Sequence, residues 1–181
     1  PGSALATRLD AFKRWYSRAG TPRLTARGHY DAEARRYTLQ LSQQLHGTSG
    51  GLPLLIPVDM ALLDADGQPL PLQMADDAAA QGTQRLLVLD QPQRSWSFVN
   101  VASEPVPSLL RGFSAPVALD DGLGDAALLT LLAHDTDPFN RWEAGQRLSL
   151  GRLLAALQSG TLPVLDEPYL QALHGVLRHP S

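Results

Sequence analysis

Apolar and polar positions change their period twice along the chain. Between residues 4 and 18, Leu5, Leu9, Phe12 and Tyr16 recur at spacings of four, three and four, the stripe of an amphipathic helix, and Gly20-Thr21-Pro22 ends it. A helix this short does not hold itself together in water, so its apolar face must dock on a neighbour. From residue 22 to about residue 119 the texture becomes short runs of alternating character, broken roughly every 8 to 12 residues by Gly, Pro, Asp or Asn. That rhythm predicts a sandwich or barrel of seven or eight strands.

The clearest strand is Arg36 to Gln43, where Tyr37, Leu39 and Leu41 alternate with Thr38, Gln40 and Ser42. Asp31-Ala32-Glu33-Ala34 joins it to Arg23–Tyr30 as a hairpin. Leu54–Leu63 is expected to turn at Asp64-Ala65-Asp66-Gly67 and return through Leu70 to Gln73, because Asp-Gly suits the positive φ of a tight turn. Thr83–Leu89, Ser95–Val101 and Leu109–Leu119 supply the remaining strands. Pro53, Pro57, Pro69, Pro71, Pro105, Pro107 and Pro116 cannot donate to a central ladder and belong at strand starts, edges or bulges.

After Gly122 and Gly124 the period becomes helical. Asp125 is read as capping a helix to His134; Asp137, followed by Pro138, caps a second that runs to about Ser159 and is closed by Gly160. The apolar stripe of the second is Phe139, Trp142, Leu150, Leu153, Leu154 and Leu157, with Glu143 and Arg147 an i,i+4 pair on its wet side. Asp166 caps a third helix, and Leu165 with Leu170 suits a hydrophobic staple. Three such helices make a poor closed core and read as the start of a helical array.

Composition narrows the function. Fifteen Lys and Arg against eighteen Asp and Glu give a net charge of -3, which argues against nucleic acid or anionic membrane as partner. The absence of cysteine removes disulfides, thiolate metal sites and cysteine nucleophiles, and permits a cytoplasmic location. No apolar run reaches the roughly 18 residues of a membrane span. The start, Pro1-Gly2-Ser3-Ala4, carries neither an initiator Met nor a signal-peptide pattern and reads as cut from a longer chain.

Candidate chemistry is sparse. His29, His46, His134, His174 and His179 are each followed by a residue other than Glu, so no His-Glu-x-x-His zinc helix exists. His174 and His179 read as surface groups, and His134, Asp135 and Asp137 as groups that complement two helix ends rather than a metal cluster. Asp64-x-Asp66-Gly67 places its glycine too early for a calcium loop, and Ala75 stands where the bidentate Glu belongs. Gly47-Thr48-Ser49-Gly50-Gly51 lacks the Gly-Lys-Ser/Thr of a phosphate loop. No serine elbow or paired-carboxylate site is present. These readings assign no catalytic, cofactor-binding or metal-ligating residue.

Phe12-Lys13-Arg14-Trp15-Tyr16-Ser17-Arg18-Ala19-Gly20-Thr21-Pro22 resembles the Trp-x-x-Gln-x-Gly-x-Pro junction of zinc aminopeptidases, with Arg18 where Gln is usual. Residues 37–43, 69–73, 105–117 and 137–144 resemble the bacterial alanyl aminopeptidase N branch of that family, and the likeness covers about residues 8 to 178. It implies that 1–20 is the last helix of a catalytic domain, 21–120 an immunoglobulin-like antiparallel β-sandwich and 121–181 the first helices of a C-terminal α-domain, truncated here. The family's zinc helix and Gly-x-Met-Glu-Asn motif have no counterpart, so no zinc or catalytic residue carries over. The resemblance further implies a cytoplasmic parent acting on peptides, zinc in the parent alone, packing of this region against the parent's other domains, and self-association through uncovered apolar faces.

Two rival readings remain. One is an autonomous module that holds a glycan or peptide through Trp96 or loop 46–52; the other is a hydrolase built on His134 and the neighbouring aspartates.

Overall fold

A computed structural model of the chain describes residues 9–17, 19–44, 52–163 and 165–178. Helix α1 (Leu9–Ser17) precedes seven strands: β1 (Arg23–Asp31), β2 (Arg36–Gln44), β3 (Ile56–Leu63), β4 (Gln84–Leu89), β5 (Gln93–Phe98), β6 (Val106–Leu109) and β7 (Ala118–Asp120). Helices α2 (Asp125–His134), α3 (Pro138–Ser159) and α4 (Glu167–Arg178) follow. The strands form a four-stranded sheet ordered β5-β2-β1-β7 and a three-stranded sheet ordered β4-β3-β6. All pairs are antiparallel except β1 with β7.

The β1–β2 hairpin forms as the alternation predicts, from Arg23↔Gln44 to Asp31↔Arg36. Its inward side chains share one core with the other sheet, where Leu24, Leu39, Leu41, Ile56, Met60 and Phe98 are all fully buried. Each sheet turns one face to this interior, and burying an aliphatic side chain of such size contributes about 1.5–3 kcal/mol.

β3 departs from alternation in an informative way. Residues 56 to 59 alternate between buried and half-buried, whereas Met60, Ala61, Leu62 and Leu63 are all buried. Met60 and Leu62 point into the sandwich. Leu63 points the other way, into a second core with Leu128, Leu131, Leu132, Ala144, Leu148, Tyr169 and Ala172. The helices therefore form a third layer on the outer face of the three-stranded sheet, at the β3 end that pairs with β6.

Four expectations need correction. The turn at Asp64–Gly67 forms, with the Asp64 carboxylate accepting from the Asp66 and Gln68 amides, and the chain starts back along β3, Asp64 N donating to Gln68 O and Leu70 N to Leu62 O around the bridge Leu63↔Pro69, but residues 70–73 are not a strand. Pro69 occupies a non-hydrogen-bonded pair, so its missing donor costs β3 nothing; the next donor on the β3 side, the Leu72 amide, turns instead to Gly82 O at 2.8 Å. β3 pairs instead with β4 and β6.

Leu109–Leu119 is not one strand. Leu110, Gly112 and Phe113 take positive φ of 58°, 59° and 54°, turning the chain through a short 3-10 segment at Arg111–Phe113 before β7 joins the other sheet. Asp125 is the first residue of α2 and Gly124 its cap. In α3, the stripe named from sequence faces outward: Trp142, Leu150, Leu153, Leu154 and Leu157 are exposed, while Asn140, Ala144 and Leu148 make the buried contact.

The prolines obey the ladder rule. Pro57 lies in the middle strand, but β6 pairs only with Met60–Leu63. The Asp59 amide, two residues on and so on the same side, donates to Ser114 Oγ rather than to a strand, so Pro57 leaves no ladder bond unmade.

Candidate functional site: the joint between sandwich and helices

Ser108, Arg111, Asp135 and Asn140 are the buried polar and charged residues among those described, and they meet in one place. Ser108 stands on β6 opposite Ala61, on the outer face that the helices cover. The left-handed turn after β6 swings Arg111 under the α2–α3 corner. Its Nη1 donates to Asp135 Oδ1 at 2.6 Å and to Ser108 Oγ at 2.9 Å, and its Nη2 to Thr136 Oγ1 at 2.6 Å. Asn140 Nδ2 donates to the same Ser108 oxygen at 2.7 Å, so both lone pairs of that hydroxyl are occupied.

The corner itself is held by carboxylates. Asp135 Oδ1 also accepts from the Asp137 amide, Asp137 Oδ1 caps α3 through the Asn140 amide, and Asp137 Oδ2 accepts from the Gly112 amide of the sandwich turn at 2.8 Å. Asp137 and Pro138 thus take the capping roles the sequence assigns them. A second tie lies further along α3: Arg147 forks onto Asp121 at 2.7 and 2.8 Å, and that hydrogen-bonded carboxylate holds the guanidinium proton even more firmly than usual. The expected Glu143–Arg147 pair is therefore replaced by a longer-range one. Arg152 completes the frame, bonding Asp166 at 2.5 Å and lying 4.4 Å from the Tyr169 ring centroid.

The other sequence candidates are dispersed. His29, His134 and His174 stand exposed on β1, α2 and α4, while His46 and His179 lie outside the described residues. Asp135 and Asp137 are engaged as above, which leaves His134 without the acidic partners a hydrolase needs. No three His, Cys, Asp or Glu side chains gather among the described residues, so those described offer no zinc-binding set. Trp96 is 8% exposed and Phe98 fully buried, so neither offers a binding platform; loop residues 46–51 lie outside the described set.

Sequence reasoning missed Ser108, Arg111, Asp121 and Asn140. The available signal was the unbroken apolar run Met60-Ala61-Leu62-Leu63, which marks a strand covered on both faces and hence a layer beyond the sandwich.

Residues 20–122 match a family described as a domain of unknown function (DUF3458) with an Ig-like fold, and residues 125–181 match DUF3458_C, described as ARM repeats. The chain belongs to the DUF3458 family. Its relatives include aminopeptidase N of Escherichia coli K12, 38% identical over 77% of this chain and 16% of that protein. Aminopeptidase N of Haemophilus influenzae is 34% identical over 94% of this chain and 20% of its own length, and that of Caulobacter vibrioides 39% over 91% and 18%. The crystal structure of Legionella pneumophila aminopeptidase A in complex with aspartic acid superposes with a TM-score of 0.75 at 28% identity, over 94% of this chain and 18% of that one. The DUF3458 region described here thus spans 16–20% of these relatives. Among its described residues no helix is long and apolar enough to cross a membrane.

Proposed function

We propose that this chain is a non-catalytic region of a zinc aminopeptidase, with 1–20 closing the catalytic domain, 21–120 forming the sandwich and 121–181 opening the α-domain. The sandwich acts as a rigid spacer between its two neighbours. One observation carries the reading: the helical attachments sit at opposite ends of β3. At its start, Trp15 Nε1 donates to Leu55 O at 3.0 Å and Arg14 Nη1 to Pro53 O at 2.6 Å, while Leu63 at its end enters the helical core. Eight residues of strand separate those points by about 26 Å. A close-packed sandwich transmits position across that span, where a flexible linker would not.

In this reading zinc, peptide substrates and the removal of N-terminal residues belong to the parent, whose cytoplasmic placement is part of the same proposal. The aminopeptidase names of the relatives support it. Spin labels on Ser17 and Gln158, attached through cysteines that the native chain lacks, are expected to give a single narrow distance distribution; a broad one refutes the rigid spacer. The purified chain supplied with zinc is expected to leave an alanyl chromogenic substrate intact, and turnover that persists through repeated preparations refutes the non-catalytic assignment.

A further inference from the structure

Helix α3 is attached to both sheets. Near its start, Asn140 and Asp137 bond Ser108 and Gly112, which belong to β6 and the turn that follows it, in the three-stranded sheet. Arg147 bonds Asp121, the residue after β7, in the four-stranded sheet. The two attachments are about seven residues apart on the helix, about 10 Å. One attached point leaves a rod free to swivel; two points on different supports define its direction.

The two ties differ in kind. The Arg111 cluster is buried and bonds β6 and the turn after it to the α2–α3 corner, so it holds the layers together. The Asp121–Arg147 fork lies at the periphery, with Arg147 31% exposed and Asp121 5% exposed. Asp121 is itself held, since its Oδ1 also accepts from the Leu123 amide at 3.0 Å. A bidentate guanidinium–carboxylate pair fixes orientation as well as distance.

We propose that Asp121 and Arg147 are positioning residues that set the tilt of the helical layer, with the Arg111 cluster as the pivot. The inference rests on the spacer reading for its purpose, but its geometry stands apart from it. Releasing the fork lets α3 swing about Asn140. Gln158 lies about 27 Å along the helix from that pivot, so a swing of about 15° moves it by about 7 Å.

The test places spin labels at Ser95, exposed on β5, and Gln158, exposed on α3, and compares the unsubstituted pair of elements with Asp121→Asn, Arg147→Lys and Arg147→Gln. The expected result is a distance distribution broadened by about 7 Å in each variant, since Lys keeps the charge but loses the fork, with the helical circular dichroism and the melting cooperativity retained. An unchanged distribution in folded variants overturns the proposal. Should a variant unfold, the charge-swapped double variant Asp121→Arg with Arg147→Asp provides the remaining arm: a narrow distribution supports the tie and a broad one in folded protein overturns it. A broad Ser17–Gln158 distribution in the unsubstituted chain would instead refute the spacer reading, so the two failures are distinguishable.

Discussion

Replacing Arg111 by Met strands the Asp135 carboxylate, which is 1% exposed, without a counter-charge. Breaking a buried pair in this way costs about 3–5 kcal/mol, because desolvation of the remaining ion is no longer offset. An unfolding entropy of about 2.1 cal/mol/K per residue gives about 0.38 kcal/mol per kelvin for this chain, so the melting temperature should fall by about 8–13 °C. Asp135→Asn keeps an acceptor for the Asp137 amide while removing the charge, so adding it to Arg111→Met should recover part of the loss. The coupling should be at least about 2 kcal/mol, within the range of contacting pairs. Urea unfolding followed by fluorescence of Trp15, Trp96 and Trp142, which report on α1, the sandwich and α3, measures all four corners of the cycle. A loss below about 1 kcal/mol for Arg111→Met, or strict additivity in the double variant, would refute the claim that this ion pair is buried and coupled.

Two further outcomes are expected. Gly67 has φ +77° and a Cβ there would lie 2.1 Å from the Cβ of His134, whereas Gly82, also at +77°, meets nothing within 4 Å. Gly82→Ala should cost only the backbone strain of about 1–2 kcal/mol, and Gly67→Ala a further 1–3 kcal/mol or so from forced movement of the α2 end; equal losses in urea unfolding would show that the turn does not abut α2. Hydrogen bonds from Arg85 hold Asp77, and from Arg152 hold Asp166, below the usual carboxylate range, each helped by a backbone amide, of Met74 and Tyr169 respectively. A depressed folded value means the contribution is present above the ordinary carboxylate range near about 3.9 and is lost as pH falls through the folded value. Exchange protection of the Met74 and Tyr169 amides should therefore decline in acid, and a flat profile would contradict the assignment.

What is legible in the sequence follows from local rules. The β1–β2 hairpin can be read because one of its faces is wet, so Tyr37, Leu39 and Leu41 alternate with polar neighbours. The α3 start can be read because Asp137-Pro138 satisfies backbone donors within a single turn. The α3 packing cannot: size favours Trp142 and the leucines as core, yet the close approach of α2 selects Ala144, and a Cβ on the adjacent Gly145 would lie 3.3 Å from Leu132. The polar joint is beyond reach because Arg111 and Asp135 are 24 positions apart and nothing local couples them. Strand pairing after Asp64–Gly67 fails for a related reason: the local turn forms, but Leu72 then exchanges backbone bonds with Gly82 and Gln81, partners that nothing local announces.

Leu63 belongs to the sheet by its backbone and to the helices by its side chain. A sandwich excised at the family boundary near residue 122 would carry Ala61, Leu63 and Val106 into solvent as an adhesive spot, and helices excised there would lose the floor they rest on. The boundary between the two matched families is thus a seam in the chain and not in the packing, and any exchange of modules between relatives must carry the end of β3 along with the helices it supports.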